Sequence, residues 1–588
     1  MYLFLIIFSV ILTYCMIINH DKKKIFDSKN INLLIICFFS TTILNHLIIF
    51  MTLGNIDISY KMLTITPLFL IKYLFLMILS SSTITLIYIF YHKCIKIMLN
   101  DTIERRKLIL TNIYYFFLLF LIFTLIFFLK YYSNVPPEQL MFHLQTPITG
   151  TSITIILDFM KKTILPTIII ILFLYSQYYI FNHLKKQILF STKKLKKRIL
   201  PINYYKKTYK LILIMIALGI IVYAFNNYDI ANFIINQFQE SSLIETEYVD
   251  PKTVELTFPQ KKRNLIYIFL ESMETSYSEY TTYLNDLAIK NTTFSKNNDF
   301  YELVGSNWTI ASMVSQTAGL PLKFSVDSTS YNVTNKSFLN NVVTIGEILK
   351  NNGYSNYLYM GSDASFAGRD IYFTNHGNYE ILDYYEAYNL GYNPMDYYVW
   401  WGFEDKKLYE YSKDKLIELA EENEPFNFTL LTVDTHPSDG YLDETCESNY
   451  EYQYANVISC ADKMLNEFIT WVQKQDFYEN TTIVIAGDHL YMENSDFIDT
   501  LSKDNRYVYN VIINSVEENE NNNREYSALD LFPTTLASLG VKINGNKLGM
   551  GVNLYSDEQT LIEKYGYDYI NEELKKKSTF YQNLSLYE

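Results

Sequence analysis

The first third of the chain is strongly hydrophobic, and its apolar residues form nearly continuous runs separated by short polar loops. A helix needs roughly 20 residues to cross a hydrocarbon core about 30 Å thick, and each run comes close to that length. The pattern predicts an α-helical membrane region over residues 1–225, with about six spans, or five to seven because segment 64–71 is also apolar. The six predicted spans are residues 1–19, 31–53, 73–90, 108–129, 164–181 and 211–225.

Lysine and arginine are unevenly distributed among the loops between these runs. Loops 20–30, 92–107 and 185–198 are rich in basic residues, whereas the alternate loops 54–61 and 131–160 are poor in them. Because basic loops stay in the cytoplasm, six spans place everything after the last span outside the cytoplasmic membrane. The first span lacks a basic leading segment and a small-residue cleavage site, so an anchor fits it better than a removed signal peptide.

After the last span the hydrophobic pattern changes. A polar linker, 226–261, leads into a region, 262–555, in which short apolar runs alternate with helical patterns such as TIGEILKNNG. The runs are NLIYIFL, YSNYLYM, FNFTLLTV and TTIVIAG, and such runs are typical of parallel strands buried on both faces of a sheet. The sequence therefore predicts an α/β domain here, followed by a helical, charged tail at 556–588.

Polar residues follow each predicted strand. In an open α/β sheet the ligand site lies beyond the carboxyl ends of the strands, so these residues are candidates for the site. A single acidic residue at such a position is more often a turn former, but several that converge on one edge favour a functional site. The candidates are Glu271, Asp363, Asp434 with His436, and Asp488 with His489.

The stretch GSNWTIASMVSQTAG places Thr309 where turn residues give way to an amphipathic helix. At a helix N-terminus its hydroxyl would lie in the positive field of unpaired N–H groups, where a phosphate or a developing alkoxide is stabilised. Ser306, Asn307 and Thr309 are also ordinary helix caps, and the residue types alone leave both interpretations open.

Together, Glu271, Asp488, His489 and the Thr309 hydroxyl offer the oxygen and nitrogen ligands that suit Zn²⁺ or Mn²⁺. A divalent ion would make an alkoxide available on Thr309, which could then take a phosphoryl group covalently and pass it on. His436 would suit a proton shuttle or a phosphate contact, and a packed or surface histidine is the competing interpretation.

Charge and cysteine content agree with this division of the chain. Residues 1–225 carry 24 Lys and Arg against 7 Asp and Glu, and the remainder carries 25 against 55, from totals of 49 and 62. The acidic outer part is a poor partner for nucleic acid. Its two cysteines, Cys446 and Cys460, would either form one disulfide in an oxidising compartment or remain two free thiols.

An ordered set of segments resembles the alkaline-phosphatase/sulfatase superfamily. The segments are NLIYIFLES, GSNWTIASMVSQTAGLPL, GSDASFAGRDIYFTNHG, LTVDTHPSDGY, IVIAGDH and LDLFPTTLASLGV. Within that superfamily the chain is similar to the membrane-anchored phosphoglycerol transferases, including lipoteichoic acid synthases and the bacterial enzymes that decorate periplasmic glucans. The resemblance implies a bacterial cytoplasmic (inner) membrane protein with several spans, whose catalytic domain faces the periplasm or the cell exterior.

The resemblance also implies roles for individual residues. Thr309 matches the nucleophile and completes the metal shell of Glu271, Asp488 and His489, around one Mn²⁺ or Zn²⁺ ion. Arg369 and His436 match positions that contact the transferred phosphoglycerol. Trp401 is a candidate for the pocket wall, although packing is the simpler interpretation of a single aromatic residue. Ala367 stands where lipoteichoic acid synthases carry a tryptophan, which favours the glucan type. Sulfatases need a Cys or Ser followed by Pro and Arg, and the segment TIASM lacks that pattern. The resemblance therefore does not extend to sulfate ester hydrolysis.

The function that the resemblance implies is transfer of a phosphoglycerol head group from phosphatidylglycerol to a glycan hydroxyl, through a covalent intermediate on Thr309. The partners would be the lipid donor, the glycan acceptor and the bilayer. Three alternatives remain open at this point: a phosphoethanolamine transferase, a metal-dependent phosphoesterase and a membrane receptor without catalytic activity.

The predicted topology can be tested with a reporter fused after Lys207. We expect this reporter to be cytoplasmic, because Lys207 follows the most basic loop and precedes the last predicted span. Paired phosphatase and fluorescent-protein fusions would measure its location. An extracytoplasmic reporter would contradict the six-span topology.

Overall fold

A computed structural model describes most of the chain from residue 102 onward and divides it into two compact units. One unit is Met1–Thr124 with Met160–Leu218, and the other is Leu125–Phe159 with Gly219–Glu588. The described residues are 102–132, 135–145, 153–169, 171, 202–295, 299–323, 331–332, 336–394, 396–422, 424–493, 495–501, 506–519 and 523–585. Their α-helices are α1 Thr102–Tyr131, α2 Pro137–Gln145, α3 Ile153–Phe159, α4 Ile202–Asn227, α5 Ile230–Asn236, α6 Leu243–Glu247, α7 Thr282–Lys290, α8 Thr309–Ala318, α9 Ile345–Asn351, α10 Arg369–Asn375, α11 Tyr384–Asn389, α12 Asp405–Glu421, α13 Gln453–Val472, α14 Asp496–Thr500, α15 Leu531–Ser538, α16 Leu561–Tyr565, α17 Tyr567–Lys575 and α18 Thr579–Ser585.

Two of the predicted membrane spans, 108–129 and 211–225, coincide with the long helices α1 and α4. By length and composition, Ile113–Lys130 could cross a membrane, and so could a pair of helical segments bent by 55°, Ala217–Asn227 with Ile230–Asn236. The other four predicted spans, and the apolar segment 64–71, lie wholly or mostly outside the described residues. The number of spans therefore stays a prediction.

The second unit is built on a six-stranded sheet with strand order β6-β5-β1-β4-β2-β3. All neighbouring strands are parallel except β5 and β6, which are antiparallel. This confirms the predicted α/β domain with a mostly parallel sheet. The edge strands β3 and β6 were not predicted, because runs of three and four residues carry little periodicity. The strands are β1 Asn264–Leu270, β2 Ser355–Met360, β3 Glu380–Leu382, β4 Phe426–Leu431, β5 Thr481–Gly487 and β6 Asn510–Ile513.

Alternate residues of the central strand β1 enter two different core layers, as the two-residue period of a strand requires. Tyr267 and Phe269 face the layer that contains α8, while Ile266 and Ile268 face the layer that contains α13. Both faces of the sheet are therefore covered, which explains why every residue of β1 is buried. Four pairs of two-residue strands accompany the sheet: Leu256–Thr257 with Lys542–Ile543, Phe300–Tyr301 with Tyr526–Ser527, Tyr331–Asn332 with Ser337–Phe338, and Lys547–Leu548 with Gly551–Val552.

Strand register places the polar strand ends side by side. Leu270 of β1 pairs with Gly487 of β5, and Phe269 pairs with Leu431 of β4. The residues that follow these three strands must therefore emerge at one edge of the sheet. Gly487 sits at a point of close backbone approach, because an added Cβ would lie 2.1 Å from the carbonyl oxygen of Met273.

The predicted polar linker and charged tail are both folded. The linker contains α5 and α6, and the tail contributes α16 to α18 with several fully buried apolar side chains. The tail is tied to the linker by the ion pair of Lys564 with Glu247, at 2.7 Å, and by the hydrogen bond from Ser241 to Glu573. The buried ammonium of Lys323 donates to the carbonyl oxygens of Leu574 and Lys576. The tail is thus part of the domain.

A pair of neighbouring substitutions on α17 tests whether the tail contributes to stability. Ile570 is fully buried and Tyr569 is 51% exposed. We expect Ile570→Ala to lower the free energy of unfolding by about 2–4 kcal/mol, because it leaves a cavity, and Tyr569→Ala to change it by no more than about 0.5 kcal/mol. Denaturation of the purified protein would measure both values. Equal effects would show that the tail does not pack as described.

Candidate active site

Three ionisable side chains meet where β1 and β5 end. Glu271 follows β1, Asp488 and His489 follow β5, and all three are almost completely buried. One ligand atom from each lies within 4.8 Å of the others, so the group could hold a metal ion. The sequence predicted these three residues as ligands, and the parallel register of β1 and β5 brings them together.

Backbone contacts orient the carboxylate of Asp488. Its Oδ1 accepts hydrogen bonds from the backbone N–H groups of Ser272, at 2.8 Å, and His489, at 2.7 Å. Its Oδ2 is buried and accepts no hydrogen bond from the residues that the structure describes. An oriented, buried oxygen of this kind fits a metal ligand.

The imidazole of His489 is oriented in a similar way. Its Nδ1 lies 2.8 Å from the carbonyl oxygen of Leu490, and because a carbonyl can only accept, Nδ1 carries a hydrogen. The other nitrogen, Nε2, lies 3.3 Å from Asp488 Oδ2 and 3.6 Å from Glu271 Oε1. When Nε2 loses its own proton, its lone pair points into the same space as the carboxylate oxygens. This donor set of one nitrogen and several oxygens fits Zn²⁺ or Mn²⁺.

The pKa values of the group reflect burial and mutual repulsion. Burial raises the pKa of Asp488 to about 8, and the negative charge of Glu271 adds to this effect. Burial alone would lower the pKa of His489, but Asp488 and Glu271 outweigh it and raise the value to about 9. Burial also raises the pKa of Glu271, yet His436 and His489 together hold it below its usual value. Without a cation, the group therefore retains protons near neutral pH.

Thr309 is the first residue of α8, as the sequence predicted. Its Oγ1 lies 3.4 Å from Glu271 Oε2 and 3.3 Å from His489 Nε2. The N-cap residue is Trp308, which makes no side-chain capping hydrogen bond, so Thr309 does not serve as the cap. The structure places its hydroxyl beside the three candidate ligands, at the positive end of a helix.

Two contacts fix α8 over the ends of the strands. The side chain of Gln316 donates to the carbonyl oxygen of Gly487, at 3.0 Å, and accepts from the hydroxyl of Tyr267, at 2.7 Å. It therefore bridges β5 and β1. The turn before the helix needs Gly305, because its φ is +84° and an added Cβ would lie 2.8 Å from Pro321 Cβ.

Aromatic and basic residues form one side of the site. The rings of Trp401 and His436 have centroids 4.2 Å apart, and Trp401 also contacts Phe366, at 5.3 Å. The guanidinium carbon of Arg369 lies 5.6 Å from the centroid of Phe366. Arg369 donates to the carbonyl oxygens of Asp363 and Phe366, and burial lowers its pKa to about 10, so it remains charged at neutral pH.

His436 is partly exposed, yet desolvation by the surrounding protein lowers its pKa. Its Nδ1 lies 2.8 Å from the carbonyl oxygen of Pro437 and therefore carries a hydrogen, which leaves the lone pair on Nε2. A neutral imidazole with a free lone pair is a proton acceptor rather than an anion contact. Of the two roles considered from sequence, this favours the proton shuttle.

Other strand-end residues lie outside the ligand group, by which we mean Glu271, Asp488 and His489. Asp363 is not part of this group, and its backbone carbonyl instead accepts a hydrogen bond from Arg369. Asp434 is paired with Asp405, whose carboxylate accepts the N–H groups of Val433 and Asp434. Cys446 and Cys460 form a disulfide with Cα atoms 5.7 Å apart, which joins the loop after β4 to α13.

Sequence reasoning missed several supporting residues. Ser272 adopts φ +51°, and its hydroxyl donates to Glu271, at 2.8 Å. Glu302 accepts the N–H of Leu490, and burial raises its pKa to about 7. Phe366 lies within the segment GSDASFAGRDIYFTNHG, where its residue type alone indicates nothing beyond packing. No periodicity marks such residues, because their roles depend on partners far away in the chain.

Comparisons with known proteins agree with this architecture. Residues 263–541 match the Sulfatase family. Phosphoglycerol transferase I of Salmonella choleraesuis is 30% identical over 318 residues, which make up 53% of this chain and 41% of that protein. Phosphoglycerol transferase I of Escherichia fergusonii is 31% identical over 306 residues, 50% of this chain and 39% of that protein. The match thus spans less than half the length of these relatives.

Among solved structures, the lipoteichoic acid synthase LtaP from Listeria monocytogenes aligns with a TM-score of 0.43 and 19% identity. The alignment covers 54% of this chain and 82% of that one. This likeness is too distant to support an inference about function.

Metal binding at this site should strengthen as pH rises. Asp488 and His489, with pKa values of about 8 and 9, hold protons at pH 7 that a cation must displace. We therefore expect the Mn²⁺ affinity to rise with pH below pH 8, by about tenfold per pH unit for each proton that the ion displaces. The affinity should level off above about pH 9, where both groups have lost their protons.

Calorimetric titrations with Mn²⁺ in buffers of different ionisation enthalpy would measure both the affinity and the proton release. Asp363→Asn is the matched control, because Asp363 also follows a strand but lies outside the ligand group. It should leave the pH dependence unchanged. An affinity that is the same at pH 6.5 and pH 8.5 would contradict this description of the site.

Proposed function

We propose that the protein is a metal-dependent phosphoglycerol transferase, on the premise that residues 263–541, which match the Sulfatase family, form a catalytic domain of the alkaline phosphatase superfamily. It would move the head group of phosphatidylglycerol to a hydroxyl of an extracytoplasmic glycan. The observation that carries the proposal is the position of the Thr309 hydroxyl, within 3.4 Å of two of the three candidate metal ligands and at the start of α8. The names of the two transferase relatives support the choice of head group.

In the first step, Thr309 Oγ1 attacks the phosphorus atom of the lipid. A bond forms between this oxygen and phosphorus, and the bond from phosphorus to the diacylglycerol oxygen breaks. The proton lost by Thr309 is balanced by the one that the diacylglycerol oxygen gains. The helix N-terminus stabilises the negative charge that develops on the threonine oxygen and on the phosphoryl group.

In the second step, a glycan hydroxyl attacks the same phosphorus atom. The bond between phosphorus and Thr309 breaks, and the proton of the glycan hydroxyl returns to the threonine. The products are diacylglycerol and a glycan phosphodiester, and the enzyme is regenerated. His436 is suited to relay the proton in both steps, because its Nε2 carries a lone pair beside the site.

Glu271, Thr309, Asp488 and His489 would hold one Mn²⁺ or Zn²⁺ ion. When bound, this ion lowers the pKa of the threonine hydroxyl and polarises a phosphoryl oxygen. Arg369 supplies a positive charge for the phosphate, and Trp401 supplies an apolar face for the glycerol. Both residues lie on the same side of the site as His436.

A lipid donor agrees with the candidate membrane-spanning helix Ile113–Lys130. We propose a multi-pass protein of the bacterial inner membrane, with the domain on the outer side, consistent with the disulfide between Cys446 and Cys460. Its partners would be phosphatidylglycerol, the bilayer and a glycan, with no role for nucleic acid.

The covalent step can be tested by intact-mass analysis. We expect the wild-type protein, incubated with Mn²⁺ and phosphatidylglycerol, to gain one phosphoglycerol group, because the proposed first step forms a single covalent bond between Thr309 Oγ1 and phosphorus. Thr309→Ala should gain none and lose turnover by at least about a thousandfold, whereas Thr309→Ser should still be labelled.

The same experiment separates the alternative functions. An adduct formed only with phosphatidylethanolamine would keep the mechanism but identify a phosphoethanolamine transferase. Release of head-group phosphate to water without any adduct would identify a phosphoesterase. Labelling of Thr309→Ala would contradict the assigned nucleophile.

A further inference from the structure

Helix α2 belongs to the same compact unit as the domain, although it lies more than 160 residues before the nucleophile in the sequence. Its residue Phe142 is 2% exposed and packs against Trp308 and Phe338, with ring centroids 6.3 Å apart in each case. Trp308 is the residue immediately before Thr309. One side of α2 therefore lies against the start of the nucleophile helix.

The next residue, His143, extends the aromatic side of the site. Its ring stacks on Phe366, with centroids 5.6 Å apart and planes 25° apart. Phe366 contacts Trp401, and Trp401 contacts His436. We call these four residues, His143, Phe366, Trp401 and His436, the ring row. It runs from α2 to the side chain proposed to relay protons.

His143 differs in charge from the groups that are suited to bind phosphate. Burial lowers the pKa of His143 to about 4, so its imidazole is neutral at physiological pH. A neutral ring is a poor partner for phosphate. Arg369 and the candidate metal site are better suited to bind it. The ring is better suited to van der Waals contact with an uncharged, polyol part of a substrate.

The chain connection also places α2 close to the end of the candidate membrane span. Ile113–Lys130 is followed by α2 at Pro137, and seven residue steps reach at most about 25 Å. If Ile113–Lys130 crosses a bilayer, α2 begins within about 25 Å of the end of that span. A lipid phosphodiester could then reach Thr309 along the ring row.

We propose that α2 forms part of the substrate pocket and that His143 is a specificity-determining residue, whose ring contacts the glycerol of a phosphatidylglycerol head group. This inference rests on the proposed function and adds to it a contact from outside the sulfatase-family domain. It identifies the ring row as the surface that recognises the head group. The metal group and Thr309 then act on any phosphodiester that reaches them.

The test compares two substrates in the full-length protein loaded with Mn²⁺. One is phosphatidylglycerol, and the other is bis(p-nitrophenyl) phosphate, a soluble phosphodiester without glycerol that depends on the same nucleophile. The variants are His143→Ala, which removes the ring, His143→Phe, which keeps the stack on Phe366, and Met141→Ala, a change on the same helix outside the ring row.

We expect His143→Ala to raise KM for phosphatidylglycerol about three- to tenfold, the range expected for one lost aromatic contact, with kcat nearly unchanged. Cleavage of bis(p-nitrophenyl) phosphate should stay within about twofold of wild type. His143→Phe should restore KM for the lipid, and Met141→Ala should behave as wild type.

Several outcomes would overturn the inference. A parallel loss on both substrates would show that α2 only supports the fold, and an unchanged KM for the lipid would show that His143 does not contact the head group. Failure of His143→Phe to restore KM would exclude a ring contact. A wild-type protein that cleaves the soluble diester but not phosphatidylglycerol would refute the proposed function, and with it the glycerol assignment.

Discussion

The structure depends on one constraint, the parallel register that sets the end of β1 beside the end of β5. Leu270 pairs with Gly487, so the next residues, Glu271 and Asp488, emerge together in a buried place. Two carboxylates this close repel each other, and burial strengthens the repulsion, so the pair requires protons or a cation. The hydrogen bonds of Ser272 and Leu490 orient the ligands toward a common centre. The site is therefore a consequence of strand pairing.

The position of Thr309, the proposed nucleophile, depends on the same two strands by a different route. Gln316, two turns along α8, bridges Tyr267 of β1 and Gly487 of β5 through its single amide group. The helix is thus fixed to the strands that carry the ligands, and its first residue lies above them. A shift of either strand would move Thr309 and the ligand group together. This coupling keeps the first residue of α8 in a fixed position over the candidate metal ligands, as the proposed phosphoryl transfer would require.

The ring row, on the side of the site away from the ligand group, is assembled from distant parts of the chain. Phe366 follows β2, Trp401 precedes α12, His436 follows β4, and His143 comes from a helix between two apolar segments. The folded tail supports the same region, because Asn571 accepts the N–H of Val304, five residues before Thr309. Helix α2 and the C-terminal tail therefore both contact residues close to Thr309 in the chain, Trp308 and Val304.

The sequence by itself determined the local features: the α/β class, four central strands, the start of α8, and Glu271, Asp488 and His489 as residues at strand ends. Hydrophobic periodicity and turn residues act over a few positions, so such features can be derived from short segments. Only the tertiary structure decided which strand-end residues share one centre: Asp363 holds Arg369 and Asp434 lies against Asp405, so neither joins Glu271, Asp488 and His489, although their sequence context looks the same. It also decided that apolar side chains of the charged tail are buried in the domain and that His143 stacks on Phe366. These outcomes depend on many weak contacts between segments far apart in the chain, and no single position in the sequence records them.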